Sequence, residues 1–342
     1  MEPANRFPRT PCAPCILLLL TCFASTASAG AVTGIGIMGD SVLDEYQFAR
    51  IIEPGGNRPD ARSVSEILSA KRNWNFGAFT TADRGGPRFE GYEYNWAHEG
   101  SRTQDLVDDG QHTGLAAQVA AGKVDLVWAW AAANDWRDLY APEIIGSPDP
   151  GAAVQAKVVA AATNVQIAIQ TVLAANPAVN LVIANSPDLR ALPALKAAIA
   201  ATPGLDQWAA AVDQGIQAYN AQILALAESS DRIAMVDAYG ISQAAVAGEP
   251  VQVGSLTLDT NVPGNGKHNY FVDALHPGTV AQGILANAFI DASNAEFDTG
   301  LLPLTAQEVT GIPLPTSMYA GMIGLAGAGL GVLRARRLRL AA

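Results

Sequence analysis

The chain has 342 residues, of which 49% are hydrophobic, and a formal net charge of −11 at pH 7. That length and composition predict one large or two small folded domains rather than a disordered chain. Residues 1–29 and 313–342 together hold six arginines and one acid, so residues 30–312 carry a net charge of about −16. Because an acidic body repels phosphate backbones, these numbers argue against nucleic-acid binding.

The first 29 residues have the pattern of a secretory signal peptide. Arg6 and Arg9 precede an apolar stretch over 15–24 that is too short to span a bilayer, and small residues at 27–29 suit cleavage. All three cysteines lie in this segment. The mature chain is therefore expected to lack disulfides, thiolate nucleophiles and cysteine metal ligands. Lipidation of Cys22 is an alternative, although the Leu-Thr pair before it fits a lipoprotein signal poorly.

Between residues 30 and 296, apolar β-branched stretches alternate with helical patterns, which predicts a parallel sheet covered by helices on both faces. A capping box, Ser63-x-x-Glu66, predicts the start of one helix. Residues 297–312 are interpreted as a linker. The predicted strands cover 32–38, 92–97, 124–130, 181–185 and 233–236, and the predicted helices cover 63–72, 152–175, 206–228 and 279–293.

The end of the first predicted strand can be interpreted in two ways. Gly34, Gly36 and Gly39 spell G-x-G-x-x-G, the dinucleotide-binding fingerprint. That fingerprint must follow a strand, but few residues of the mature chain precede Gly34, so we expect the glycines to lie within the strand itself. Alternatively, Gly39-Asp40-Ser41 presents Ser41 as a nucleophile at the end of the strand.

A serine nucleophile requires a general base, usually a histidine that is itself oriented by a carboxylate. Only His276, among four histidines, has an acid at a suggestive spacing and a turn after it. A separation of three residues lets Asp273 and His276 leave one turn on the same side. Asp273 can then orient the imidazole while the other ring nitrogen faces Ser41.

An ester hydrolase also needs hydrogen-bond donors for the oxyanion. Gly100 follows a predicted strand, and its backbone N–H can approach a substrate because no Cβ intervenes. Asn134 follows the buried strand 124–130 and offers a neutral side-chain amide.

Four motifs in chain order resemble those of the SGNH, or GDSL, hydrolase family, and the resemblance spans residues 32–295. It implies a flavodoxin-like three-layer α/β/α fold with a five-stranded parallel sheet, and hydrolysis of esters without a metal or an organic cofactor. The motifs are Gly39-Asp40-Ser41, Asn95-x-Ala97-x-x-Gly100, Asn134-Asp135 and Asp273-x-x-His276.

The same resemblance assigns a role to each matching residue. It implies that Ser41 is the nucleophile, His276 the general base and acid, and Asp273 the orienting carboxylate. The oxyanion hole would consist of the N–H groups of Ser41 and Gly100 and the amide of Asn134.

The chain departs from the family pattern near this expected hole. Ala132 stands where the family has glycine; if the backbone there has a positive φ, alanine costs ~1 kcal/mol. Glu99 places an acid beside Gly100. Two tryptophans, Trp96 and Trp136, flank the motifs and are candidates for lining an acyl or sugar site. The other pair, Trp128 and Trp130, is expected to pack in the core.

Residues 316–333 carry no charge and precede four arginines, which predicts a membrane helix with a cytoplasmic C-terminal end. With the Pro-Leu-Pro at 313–315, residues 313–342 resemble the PEP-CTERM sorting signal of Gram-negative bacteria, whose tail is processed by an exosortase. A plain tail anchor is the alternative.

Together these features predict a serine ester hydrolase that is exported across the inner membrane of a Gram-negative bacterium. It would then be membrane-anchored, or extracellular after processing of the tail. The expected substrates are esters of lipids, short acyl groups or O-acetylated polysaccharides, cleaved through an acyl-enzyme. The alternative is a non-catalytic cell-surface or matrix protein built on a hydrolase fold.

Overall fold

The structure is a computed structural model that describes residues 31–45, 60–82 and 90–311. The expected signal peptide and the expected membrane helix lie outside these residues. The described strands are β1 (Ile35–Gly39), β2 (Phe79–Thr80), β3 (Gly91–Tyr92), β4 (Leu126–Trp130), β5 (Asn180–Ala184), β6 (Ile233–Val236), β7 (Val251–Val253) and β8 (Leu256–Leu258).

The described helices alternate with the strands of the central sheet. They are α1 (Val64–Arg72), α2 (Asp105–Asp108), α3 (Gln111–Ala120), α4 (Ala133–Asp138), α5 (Pro142–Ile145), α6 (Pro150–Ala175), α7 (Pro193–Ala201), α8 (Leu205–Glu228), α9 (Ala238–Ala247), α10 (Thr279–Phe297) and α11 (Ala306–Thr310), with a 3₁₀ turn at Leu189–Ala191.

The central sheet of the described chain has four parallel strands in the order β1-β4-β5-β6. Helices α3, α6 and α8 cover one face, and α1 and α10 cover the other. This confirms the predicted three-layer α/β/α fold. All four strands carry apolar side chains on both faces, because helices bury both faces of the sheet.

The predicted fifth strand, 92–97, lies beside β1 but forms only one parallel bridge, between Ile37 and Asn95. Two hydrogen bonds hold it there, from Ile37 N to Tyr94 O and from Trp96 N to Ile37 O. The pairing is limited to this bridge because the neighbouring N–H groups of β1 donate elsewhere, that of Ile35 to Asn75 O and that of Gly39 to Gln111 Oε1.

Helix α6 is long and apolar enough to cross a membrane by length and composition. It packs instead between α3 and α8, and nine of its side chains are buried in the larger core cluster. Its apolar character is therefore that of a core helix.

Residues 297–312 were predicted to form a linker, but in the structure this segment packs back along α10 up to residue 311. Asn294 and Asn287 hold it by side-chain hydrogen bonds to the backbone of Leu301 and Leu304. Glu308 of α11 forms a two-point ion pair with Arg72. Residues 297–311 are therefore part of the folded domain rather than a linker.

Candidate active site

Ser41 and Asn134 follow the carboxyl ends of two parallel strands, where such sheets place their ligand sites, and Asp273 and His276 lie in the loop between β8 and α10. Ser41 follows β1 by two residues, Asn134 lies in the first turn of α4 after β4, and His276 precedes α10. Gly39 ends β1 with φ +156°, and a side chain there would meet Trp130 O at 2.1 Å. The glycines at 34, 36 and 39 thus lie in or beside a buried strand and form no phosphate-binding turn.

Ser41, His276 and Asp273 form a continuous hydrogen-bonded chain. His276 Nε2 lies 2.9 Å from Ser41 Oγ, and His276 Nδ1 lies 2.8 Å from Asp273 Oδ2. In this arrangement the carboxylate holds the ring so that Nε2 can accept the serine proton. The structure therefore brings together the three residues that the sequence analysis selected.

Asp273 is positioned by its own backbone. Its Oδ1 accepts hydrogen bonds from the N–H groups of Leu275 and His276, both at 2.7 Å. Burial alone would raise the pKa of Asp273, but the hydrogen bond and charge of the His276 ring and these two N–H groups lower it below its ordinary value. Asp273 therefore stays ionised and can stabilise an imidazolium at His276.

The expected oxyanion donors lie around this triad. Asn134 lines the same cavity as Ser41 and His276, and its Nδ2 gives one of two hydrogens to Ser101 O at 2.9 Å. Within 31–45, 60–82 and 90–311, the backbone N–H groups of Ser41 and Gly100 make no hydrogen bond. Gly100 is exposed, with φ +81°, in the turn next to the cavity rather than in its lining.

Ala132 and Glu99 are the two positions where the chain departs from the family pattern. Ala132 has φ 104°, so alanine here occupies a conformation that glycine tolerates far better. Its side chain is fully buried, and α4 begins at the next residue. Glu99 is not part of the cavity lining, and its backbone N–H donates to Asp44 Oδ2 at 3.0 Å.

The expectations for the tryptophans need correction. Trp136 is fully buried against Tyr219, with ring centroids 5.4 Å apart. Trp96 covers Gly114 and donates from Nε1 to Gln118, so neither candidate lines the cavity. Trp128 and Trp130 both pack in the core as expected, and Trp130 at the end of β4 also contributes to the cavity wall. Trp130 reaches the cavity because it lies at the end of a sheet strand, whereas Trp96 and Trp136 lie close to the motifs in sequence but do not line the cavity.

Sequence reasoning missed Gln111, a fully buried residue of α3 that joins two catalytic loops. Its Oε1 accepts from Gly39 N at 2.9 Å, and its Nε2 donates to Gly39 O and to Ser101 Oγ, each at 3.1 Å. Asp135 makes a similar link, since its carboxylate accepts from the N–H and the hydroxyl of Thr103. Nothing in the spacing of Gln111 singles it out, because its partners are 72 and 10 residues away in the chain.

Arg137 was also missed. Its exposed guanidinium lies on the cavity rim and donates from Nη1 to Asn134 Oδ1 at 2.8 Å. A cation on the carbonyl side of an amide fixes its orientation and strengthens its N–H donors. Arg137 therefore orients the amide of Asn134.

Asp40 lies beside the nucleophile and is 2% exposed. Burial raises the pKa of Asp40 to about 6, although the N–H of Val42, 3.0 Å from Oδ1, and the charge of His276 act in the opposite direction. The charges of Asp40 and His276 therefore interact across the site.

Comparison with known protein families gives one matching family. The chain matches the family model "GDSL-like Lipase/Acylhydrolase" over residues 35–289. The chain belongs to this family. It is accordingly a carboxylic ester hydrolase. Comparison with curated proteins gives no match.

Several solved structures are similar to this one at low identity. They include a family 3 carbohydrate esterase of Clostridium thermocellum (13% identical, TM-score 0.41, covering 78% of this chain and 97% of that one). The lipase Lip_vut3 from a goat rumen metagenome is 13% identical, with a TM-score of 0.44 and coverages of 76% and 96%. Axe2, an acetylxylan esterase from Geobacillus stearothermophilus, is 16% identical, with a TM-score of 0.38 and coverages of 81% and 98%.

Proposed function

We propose that this family member is an exported serine esterase that works through an acyl-enzyme at Ser41. The observation that carries the proposal is the hydrogen-bonded chain from Ser41 through His276 to Asp273, with both links under 3 Å. Ser41 Oγ attacks the ester carbonyl while His276 Nε2 takes the serine proton. His276 then gives this proton to the departing alkoxide, which leaves as an alcohol.

The second half of the reaction reverses these roles. A water molecule gives a proton to His276 Nε2 and attacks the acyl carbon, and the bond to Ser41 Oγ breaks as His276 returns the proton to the serine. Oxyanions form in both halves, and the N–H groups of Ser41 and Gly100 and the Asn134 amide would stabilise them. Each such donor typically contributes about 10²–10³-fold in rate.

The cellular setting rests on the sequence alone. The pattern of residues 1–29 supports export, and residues 313–342 support either a membrane anchor or a tail that an exosortase processes. Esters of lipids and O-acetylated polysaccharides are both compatible with an enzyme at the outer side of the inner membrane.

Hydrolysis of p-nitrophenyl esters by the wild-type chain, beside Ser41→Ala and a matched Ser186→Ala control, tests the proposal. Ser186 is also buried, lies after β5, and donates from its hydroxyl to Pro187 O rather than to the triad. We expect turnover in the wild type and the control and its loss in Ser41→Ala. Equal turnover in all three would refute the assignment of Ser41, and no turnover in any would favour the non-catalytic surface protein.

A further inference from the structure

A cavity begins at Ser41 and His276 and continues along one side of α9. Its empty volume is about 800 Å³, including the open space at its mouth. Helix α9 lines it with Ala238, Ile241, Ser242 and Ala245, at positions i, i+3, i+4 and i+7. These positions share one helix face, and seven residues correspond to about 10 Å of helix length.

The wall that faces α9 is also apolar. The 3₁₀ turn contributes Leu189 and Ala191, and the loop before α10 contributes Tyr270, Phe271 and Leu275. Phe271 packs on Tyr270 with ring centroids 5.0 Å apart, which fixes this side of the cavity. The cavity is therefore a preformed apolar slot that starts at the catalytic pair.

Two polar side chains in the slot beyond the catalytic groups, Ser242 and Asp188, already have partners. Ser242 Oγ donates to Tyr239 O and accepts from the N–H of Asp188. The Asp188 carboxylate pairs with Arg190 through Nε and Nη2. A sugar that entered the slot would lose its hydrogen bonds to water and form few new ones, which is unfavourable. A hydrocarbon chain has no such bonds to lose, and its transfer from water into the slot is favourable.

Building on the proposed esterase function, we propose that the acid part of the substrate is a fatty acyl chain that lies in this slot along α9. An extended alkyl chain advances about 1.25 Å per carbon from tetrahedral bond geometry, so about 10 Å holds about eight carbons. The acyl carbon lies at Ser41 Oγ, and the alcohol part faces the solvent at the rim with Arg137. The substrates are thus lipid-like esters rather than O-acetylated carbohydrates.

A series of p-nitrophenyl esters from acetate to decanoate tests the inference with the full wild-type chain. We expect kcat/KM to rise with chain length up to about eight carbons, by at most about fourfold per methylene. A maximum at acetate with a steady decline for longer chains would overturn it.

A variant that fills the slot gives the second test. Ala245→Phe places a ring among the lining residues, and Ala247→Phe, exposed on the same helix, is the matched control. We expect the ratio of kcat/KM for octanoate over acetate to fall at least tenfold in Ala245→Phe and to stay within twofold of wild type in Ala247→Phe. An unchanged ratio in a folded Ala245→Phe protein, judged by its melting temperature, contradicts the inference.

A third measurement uses only the wild-type protein, so it tests the inference even if Ala245→Phe does not fold. Free octanoate is expected to slow the labelling of Ser41 by a fluorophosphonate at concentrations at least tenfold lower than acetate does. Equal protection by both acids contradicts the inference. Failure of the esterase function itself looks different, because then no ester is turned over and Ser41 is not labelled at all.

Discussion

Replacing Asp40 by asparagine removes a buried charge beside the nucleophile and keeps the shape of the side chain. Asparagine Oδ1 can still accept the hydrogen bond from the N–H of Val42, which Asp40 Oδ1 accepts at 3.0 Å. The substitution therefore isolates the effect of the charge on stability and on the positive charge that develops at His276.

The size of the effect follows from the pKa of Asp40, which burial raises from an ordinary 3.8 to about 6. Between these pH values the folded state binds more protons than the unfolded state, so stability falls as the pH rises through this window. Two pH units at 1.36 kcal/mol each give about 3 kcal/mol as an upper limit. At pH 8, the free energy of unfolding of Asp40→Asn is expected to exceed that of wild type by ~1–3 kcal/mol, which corresponds to a rise of ~2–10 °C in melting temperature. At pH 3.5 the two proteins are expected to be about equally stable.

The assay is thermal or urea unfolding of wild type and Asp40→Asn between pH 3.5 and 8, with steady-state kinetics beside it. The exposed Asp231→Asn is the control and should change stability by less than ~0.5 kcal/mol at every pH. We also expect kcat to fall several-fold in Asp40→Asn, because the imidazolium loses an attracting carboxylate. A variant that is no more stable at pH 8, or whose gain does not vary with pH, would refute the reasoning.

Four further substitutions have expected outcomes. Asp273→Asn should lower kcat by roughly 10³–10⁴-fold with little change in stability, because the ring of His276 loses its orienting charge. Ala132→Gly should raise the free energy of unfolding by ~0.5–1 kcal/mol, since it relieves the φ of 104°. Gln111→Leu should cost ~1–3 kcal/mol and also lower kcat, because it leaves the buried N–H of Gly39 without an acceptor. Glu308→Gln should cost ~1 kcal/mol at pH 7 in chemical unfolding, a value limited by solvent screening of the pair with Arg72.

These outcomes are checked by unfolding curves and by ester kinetics, each beside a control. Ala160→Gly, in an exposed helix interior, should lose ~1 kcal/mol, which is opposite in sign to Ala132→Gly. The hydrogen bond from Arg72 lowers the pKa of Glu308 to about 2, so the loss in Glu308→Gln should fade as the pH drops from 4.5 towards 2. A loss that persists at pH 2 contradicts the ion-pair explanation. An Asp273→Asn enzyme with wild-type kcat, or a Gln111→Leu protein with wild-type stability and kcat, would contradict the roles given to those residues.

The regular elements were predictable where one local signal dominates. The capping box of α1 is present, with Ser63 N donating to Glu66 at 3.0 Å, and the helix ends at Arg72 as predicted. Strand β6 has the predicted bounds, because a short apolar stretch there is enclosed by polar turns. Helices α3, α7 and α9 were not predicted, since their small residues give little periodic contrast between faces.

The hydrogen-bonded arrangement of Ser41, His276 and Asp273 was predictable because Asp273 and His276 are neighbours in the sequence and Ser41 follows a strand. The residues that connect the loops were not predictable. Gln111 acts through contacts that exist only after the strands are placed side by side. Arg137 contacts Asn134 within one helix turn, but single polar residues in helices are usually solvated, so its spacing alone did not indicate a role. The apolar slot was equally hidden, because its walls come from segments about 50 and 30 residues apart, at 189–191, 238–245 and 270–275.

The central claim is that Ser41 is an activated nucleophile held by His276. The most direct measurement is reaction of the wild-type chain with a fluorophosphonate, followed by peptide mass spectrometry to locate the adduct, with His276→Ala beside it. The account predicts one adduct, on Ser41, whose formation slows at least a hundredfold in His276→Ala. No adduct on Ser41, or labelling at the same rate without His276, would contradict it.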